Sequence, residues 1–241
     1  EAEVGESWAT MSAERTPLSA SDLTEGAVDV AWFGRAHTRL GPGRRSALHK
    51  VAKLASGGAG HRRAQIFAEA MLGQAAETVL IDRISTKRHQ DSVRALGLVP
   101  LPRTGTDEVA LRRYQVLREF ERGSKKFGQQ RQRSESTAVR IGIENLARST
   151  GAADPQRFIW AMEAAEAADL ADGPVSVSEG DVTVTLQVDR EGVPDITVER
   201  SGKRLASVPA ALRKQPDIKA LSDRRTALKR QASRVRRSLE A

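Results

Sequence analysis

Val182-Thr183-Val184-Thr185-Leu186-Gln187-Val188 is the stretch in which the hydrophobic period of this chain falls from 3.6 residues to 2. Such alternation marks a strand with one buried face and one wet face. Val175 and Val177 precede it across Glu179-Gly180-Asp181. Ile196 and Val198 follow Arg190-Glu191-Gly192, and Leu205 follows Gly202. Glycine and acidic residues between apolar runs are turn formers, so residues 175–206 read as a three- or four-stranded antiparallel β-meander. A sheet this small needs a helix against its apolar face.

A helix follows in the sequence. Pro209 and Pro216 bracket a short turn. Residues 217–241 then carry Ile218, Leu221, Leu228, Ala232, Val235 and Leu239 as a heptad-like stripe, with Arg225 intruding at one seam position. Arg224, Lys229, Arg230, Arg234, Arg236 and Arg237 crowd the flanks. Like charges three or four residues apart weaken an isolated helix by about 0.2–0.5 kcal/mol per pair. Something must offset that repulsion: the chain's own acidic stretch, an acidic partner, or phosphate. The expectation is a docking helix whose partner surface lies partly outside this chain. Its interaction residues are Arg224, Arg225, Leu228, Lys229, Arg230, Arg234, Val235, Arg236, Arg237 and Leu239.

Upstream of the meander the pattern is helical. Residues 1–20 are polar and read as a flexible leader. Residues 21–97 read as an N-terminal helical subdomain and 106–173 as a central one. A proline- and glycine-rich linker over 97–105 separates them. Asp22 with Glu25 resembles a capping pair. Gly41-Pro42-Gly43 stops the helix of residues 25–40, and a second helix over 44–56 places Leu48, Val51, Ala52 and Ala55 on one face. Asp107 is the expected cap of a helix with Leu111, Tyr114, Leu117 and Phe120 as its stripe. The helix over 129–149 turns Val139, Ile143, Leu146 and Ala147 inward. Asp154-Pro155 places an N-cap before a proline at the first helical position. The fold class is therefore mainly α (α+β): a multi-helix array, a β-meander over 174–208, and a basic C-terminal helix over 209–241.

The 241 residues are 39% hydrophobic, enough for a real core, but only 4% aromatic, so that core rests on Leu, Val, Ile and Ala. Cysteine is absent, which removes disulfides, thiolate metal sites and thiol nucleophiles together. No apolar run approaches the roughly 18 residues of a membrane span, and the N-terminus lacks a signal-peptide pattern. A cytoplasmic chain with no membrane partner is expected. It begins at Glu1 and ends at Ala241 inside an unfinished heptad helix, as a piece of a longer chain would.

The net charge of +8 is unevenly distributed. Residues 151–199 hold eleven acids and two bases, while residues 200–241 hold thirteen bases and three acids. One reading is internal complementarity. The other is a nucleic-acid or acidic-protein partner.

No constellation of catalytic residues stands out. His37, His49, His61 and His89 lack the spacing of a helical metal site, so no metal or cofactor is expected. Gly57-Gly58-Ala59-Gly60 precedes a helix but lacks the lysine and hydroxyl of a P-loop, so it reads as a helix–helix connection. Lys87, Arg88, Lys125, Lys126, Arg131 and Arg133 are candidate phosphate contacts. Thirty arginines against nine lysines suit bidentate phosphate binding. Scarce aromatics argue against a stacking platform for single strands.

Several stretches together resemble a known family. They are Lys87-Arg88-His89-Gln90-Asp91-Ser92-Val93-Arg94-Ala95-Leu96-Gly97-Leu98, the run from Arg113 to Arg133 with Phe127-Gly128, Asp154-Pro155-Gln156-Arg157 through Trp160-Ala161-Met162-Glu163, Gly180-Asp181-Val182-Thr183-Val184, and the arginine-rich terminal helix. Over roughly residues 25–241 the chain resembles the large bacterial proteins that share a domain of unknown function with the molybdate metabolism regulator, MolR. The likeness is to the region preceding that C-terminal domain, into which the basic helix would run. Some members carry a Trp-Gly-Arg module; Trp32-Phe33-Gly34-Arg35 lies in a helical pattern and does not match it. The resemblance supplies no catalytic residues. The expected function is a non-enzymatic helical scaffold that binds a protein partner or other domains of its own larger chain. The alternative is a sequence-nonspecific nucleic-acid-binding module that uses basic helices.

Overall fold

The computed structural model describes residues 2–55, 60–152 and 154–240. Most of the glycine-rich connection at 57–60 lies outside them, as do the side chains of Trp8 and Leu239. The chain is mainly α-helical with a four-stranded antiparallel sheet, and it divides into two compact units, Glu1–Met162 and Glu163–Ala241.

The N-terminal unit begins with helix α1 (Ala2–Ala13), where a leader was expected, because the first residues include no proline before Pro17. Helix α2 (Ala20–Glu25) is capped by Ser19, whose hydroxyl accepts from the Asp22 amide while the Asp22 carboxylate accepts from the Ser19 amide. The capping box thus lies three residues earlier than the expected Asp22–Glu25 pair. Helix α3 (Val30–Ala55) starts at Asp29, whose carboxylate accepts from the Trp32 amide. Gly41, at φ 70° and ψ 166°, is not helical and ends the first run as expected: the glycine reorients the chain, and Pro42 starts a second helical run.

Helices α4 (Gly60–Met71), α5 (Glu77–Lys87), α6 (Gln90–Leu96), α7 (Thr106–Arg122), α8 (Gln129–Thr150) and α9 (Pro155–Glu166) follow. The expected stripes point inward: Leu80 and Ile84, Tyr114, Leu117 and Phe120, Val139, Ile143 and Leu146, Phe158 and Met162 share one core. Leu98 and Val99 belong to that core, so the expected linker at 97–105 does not separate two cores. Gly97 and Gly142 let the end of α6 meet α8 backbone to backbone; a Cβ on Gly97 would stand 2.6 Å from the Leu146 nitrogen. Gly105, not Asp107, is the N-cap of α7.

The C-terminal unit holds β1 (Val175–Glu179), β2 (Val182–Val188), β3 (Pro194–Arg200), β4 (Lys203–Leu205) and α10 (Pro216–Leu239). The strand order β1-β2-β3-β4 is the expected meander. Val184 pairs with Val177 on one side and Val198 on the other. Val182, Val184, Leu186 and Val198 pack with Ile218 and Leu221 of α10 as a single core. Val188 departs from the expectation and is 38% exposed; it pairs with Pro194 at the end of β2 and lines a cleft beside α10.

Candidate interaction surfaces

Three surfaces bring the sequence candidates together or reveal residues that periodicity could not find. The first surrounds Phe127, where the strand-free connection between α7 and α8 forms a short 3-10 turn, Gly123–Lys126. Arg88, in the left-handed conformation at the end of α5, donates to the fully buried carboxylate of Glu135 at 2.5 and 3.0 Å and to the Phe120 carbonyl at 2.7 Å. Arg131 donates to the same carboxylate at 2.9 Å and stacks over Phe127, its guanidinium carbon 3.8 Å from the ring centroid. Burial pushes the Glu135 carboxyl up, but the hydrogen bonds and charges of Arg88 and Arg131 outweigh it and hold the group below the ordinary glutamate range. Two of the six phosphate-contact candidates are therefore bound into the fold. Lys87, Lys125, Lys126 and Arg133 are exposed and have no ion pair among the described residues.

The second surface is α10. Arg224 donates to the Asp169 carboxylate, at 2.8 Å through Nη1, and to the Glu166 carbonyl at 3.0 Å. That hydrogen bond lowers the Asp169 carboxyl and raises the Arg224 guanidinium relative to their usual values. Arg234 is paired with Glu163. Two members of the acidic stretch thus offset part of the crowding on the helix. Lys229, Arg230, Arg236 and Arg237 are exposed and without carboxylate partners. Leu228 and Val235 are half-buried beside a cleft of about 540 Å³, which Leu170, Val188, Pro194 and Arg236 also line. Arg225 is half-buried in the same seam, one turn N-terminal to Leu228, against β3 and β4. The described side chains do not include Leu239.

The third surface was not anticipated. The second half of α3 turns the wrong way for a globular helix. Arg45 and His49, on its polar side, are half-buried, and His49 lies 6.3 Å from the His61 ring. Its apolar stripe faces water: Leu48 is 54% exposed, Val51 61% and Leu54 87%. Helical spacing puts Arg44 within that stripe. No carboxylate occurs between Asp29 and Glu69, a stretch that holds eight arginines and lysines.

Other polar residues serve the fold. Asn145, fully buried, accepts from the Val28 amide at 3.0 Å and donates to the Gly26 and Arg94 carbonyls at 3.2 Å. Arg113, also buried, bonds Glu77 at 2.8 and 3.1 Å and the Val99 carbonyl at 2.6 Å. His89 caps α6 through Nδ1, and His37 stacks on Phe33. Nothing in the sequence pattern around Asn145, Arg113 or Glu135 announces these roles, since their partners are 13 to 119 positions away apart from nearby helical contacts. Among the described residues no group of three or more His, Asp or Glu could hold a metal ion, and no helix is long and apolar enough to cross a membrane.

Neither a curated protein nor a solved structure matches the chain. A family of unknown function, DUF5724, matches residues 3–162, which include α2 through most of α9 and the core they share. The match spans well over half of the sequence, and the chain belongs to that family.

Proposed function

We propose that this chain is a non-enzymatic interaction scaffold that receives an acidic, apolar-striped helix from a protein partner or from another part of its own larger chain. The observation that carries this reading is the outward-facing stripe of α3. Leu48, Val51 and Leu54 form a contiguous apolar face on a helix that also exposes Arg44, Lys50 and Lys53. Burying a side chain of this size against a partner contributes about 1.5–3 kcal/mol. The lack of any carboxylate from 30 to 68 selects an acidic occupant. Arg44, set within the stripe, favours a protein helix bearing a carboxylate at that position over hydrocarbon. The exposed cations of α10 and the cleft beside Leu228 and Val235 support a second contact with the same kind of partner.

A direct test titrates the full chain with a synthetic amphipathic helix that carries leucine along its seam and glutamate on its flanks. Saturable binding is expected, with loss on Val51→Glu and none with a lysine-flanked counterpart. Equal binding of both peptides, or binding unchanged in Val51→Glu, removes the α3 reading.

Nucleic-acid binding is the second reading, favoured by the exposed Lys87, Lys125, Lys126 and Arg133, which have no ion pair among the described residues. A salt titration against random duplex DNA separates the two. A steep salt slope that flattens in a Lys125→Gln, Lys126→Gln variant supports it, because each released phosphate contact lowers the slope by about one. We further read the family relationship as extending to the MolR-like bacterial proteins, on the stretches from Lys87 to Leu98 and from Asp154 to Glu163. A cytoplasmic setting is in keeping with the absence of cysteine.

A further inference from the structure

Arg225 is the residue that breaks the apolar seam of α10, flanked by Leu221 and Leu228. Its side chain is half-buried, its Nε is buried without a hydrogen-bond partner, and among the described residues no carboxylate pairs with its guanidinium. A cation partly withdrawn from water is normally given a counter-charge or an acceptor by the fold. Here it supplies the opposite. Arg225 borders a cavity of about 450 Å³ formed by β3, β4, the segment 205–208 and α10, and Arg204 and Arg213 border the same cavity. Ser207, Ser222 and Thr197 add hydroxyls, and no Asp or Glu lines it. Arg213 donates from Nε to the Val208 carbonyl at 2.9 Å, which anchors its planar fork. Glu199 stands across from Arg204 in the β3–β4 register, yet the two form no ion pair. Because β4 pairs only with Val198–Arg200, the backbone at Ile196 and Thr197 has no strand partner on the cavity side.

We propose that this cavity binds the phosphate of a phosphomonoester, with Arg225 as its inner contact and Arg204 and Arg213 closing over the oxygens. Three guanidiniums match a dianion with three free oxygens better than a carboxylate, which offers one charge and two. The half-open cleft has room for a terminal phosphate on a small molecule. A phosphodiester offers one charge and two free oxygens per phosphate, so nucleic acid is the disfavoured source of the same chemistry. The proposal stands independently of the scaffold reading: the cavity meets α10 at Ser222 and Arg225, before the Leu228–Val235 cleft begins, and shares no lining residue with that cleft or with α3.

The test uses the full chain, with calorimetry and thermal unfolding in inorganic phosphate, in glucose 6-phosphate, and in sodium chloride at matched ionic strength. Phosphate and glucose 6-phosphate are expected to raise the melting temperature saturably, beyond any effect of the chloride. Arg225→Gln is expected to weaken phosphate at least tenfold while leaving the ligand-free protein no less stable than its parent. Arg204→Gln, at the exposed rim, is expected to weaken phosphate several-fold with unchanged ligand-free stability. The proposal is overturned if phosphate acts only as chloride does, if both variants retain parental affinity, or if Arg225→Gln destabilises or unfolds the ligand-free chain. It is overturned as well if an oligothymidylate without terminal phosphates binds more tightly than glucose 6-phosphate.

Discussion

Arg113 and Arg225 occupy comparable positions on α7 and α10, each a cation set into the inward side of its helix, and the two units treat them oppositely. Arg113 is 1% exposed, and every outward nitrogen of its fork is answered by the Glu77 carboxylate or by the carbonyls of Val99 and Pro100. Arg225 has a buried Nε without a hydrogen-bond partner and no ion pair among the described residues. The same contrast runs through the neighbours. Arg88 and Arg131 share Glu135, and Arg94 donates to the Glu25 carbonyl, with burial lowering its guanidinium from the usual value. In the N-terminal unit, buried arginine cross-links helices. In the C-terminal unit, Arg224 and Arg234 are paired with Asp169 and Glu163, while half-buried Arg225 faces a cavity of like charge. A buried cation therefore has no fixed meaning by itself; its role is set by whether another element brings an anion to it.

The largest expected effect comes from creating, in the C-terminal unit, a buried charge that has no cavity beside it. Val184 is fully buried, so Val184→Asp should cost about 4 kcal/mol, read as a drop in the denaturant midpoint. An unchanged midpoint would mean that the sheet does not pack as described. Next is the removal of an anion from the N-terminal unit. Glu135→Ala strands Arg88 and Arg131 and should cost about 3 kcal/mol in the same measurement. Gly97→Ala should cost about 2–3 kcal/mol, because its methyl group meets helix α8 backbone rather than a movable side chain.

Acid offers a graded version of the comparison. For Glu77 and Glu135 burial raises the carboxyl, but the guanidinium hydrogen bonds more than reverse it, and both lie below the ordinary glutamate value. A folded value below the unfolded one adds stability that is complete above about pH 4.3 and is lost as pH falls through the folded values. The N-terminal unit should therefore lose protection from hydrogen exchange steeply below that pH. Asp169 is also lowered, by the hydrogen bond from Arg224, but its side chain is 53% exposed and the pair is screened, so the C-terminal unit should respond less. The smallest effect belongs to the exposed Arg122–Glu119 pair: Arg122→Ala should change stability by less than about 0.5 kcal/mol.

Much of this architecture was legible because it repeats locally. The alternation of Val182, Val184 and Leu186 announced a sheet, and the stripes of α7 and α8 announced the faces they bury. Val188 obeys the same alternation yet is exposed, since period says which face a residue shares and not how closely the covering helix packs there; a cleft separates it from Leu228 and Val235. The stripe of α3 shows the same limit: Leu48, Val51 and Leu54 have the spacing of a buried face and stand in water. Leu98 and Val99 were hidden by the prolines around them. The pairing of Arg88 with Glu135 joins residues 47 positions apart, so it is a property of the fold and leaves no local trace. Arg225 was legible as an intrusion in the seam, but the cavity beside it depends on where β4 ends.

The most direct test of the contrast is equilibrium unfolding of Arg113→Gln and Arg225→Gln, measured side by side in buffer free of phosphate. Arg113→Gln leaves the Glu77 carboxylate without its buried partner and should lower stability by about 3 kcal/mol. Arg225→Gln should leave stability unchanged or raise it. Equal losses in the two variants would contradict the account, because they would show that Arg225, like Arg113, is a cation the fold itself has satisfied.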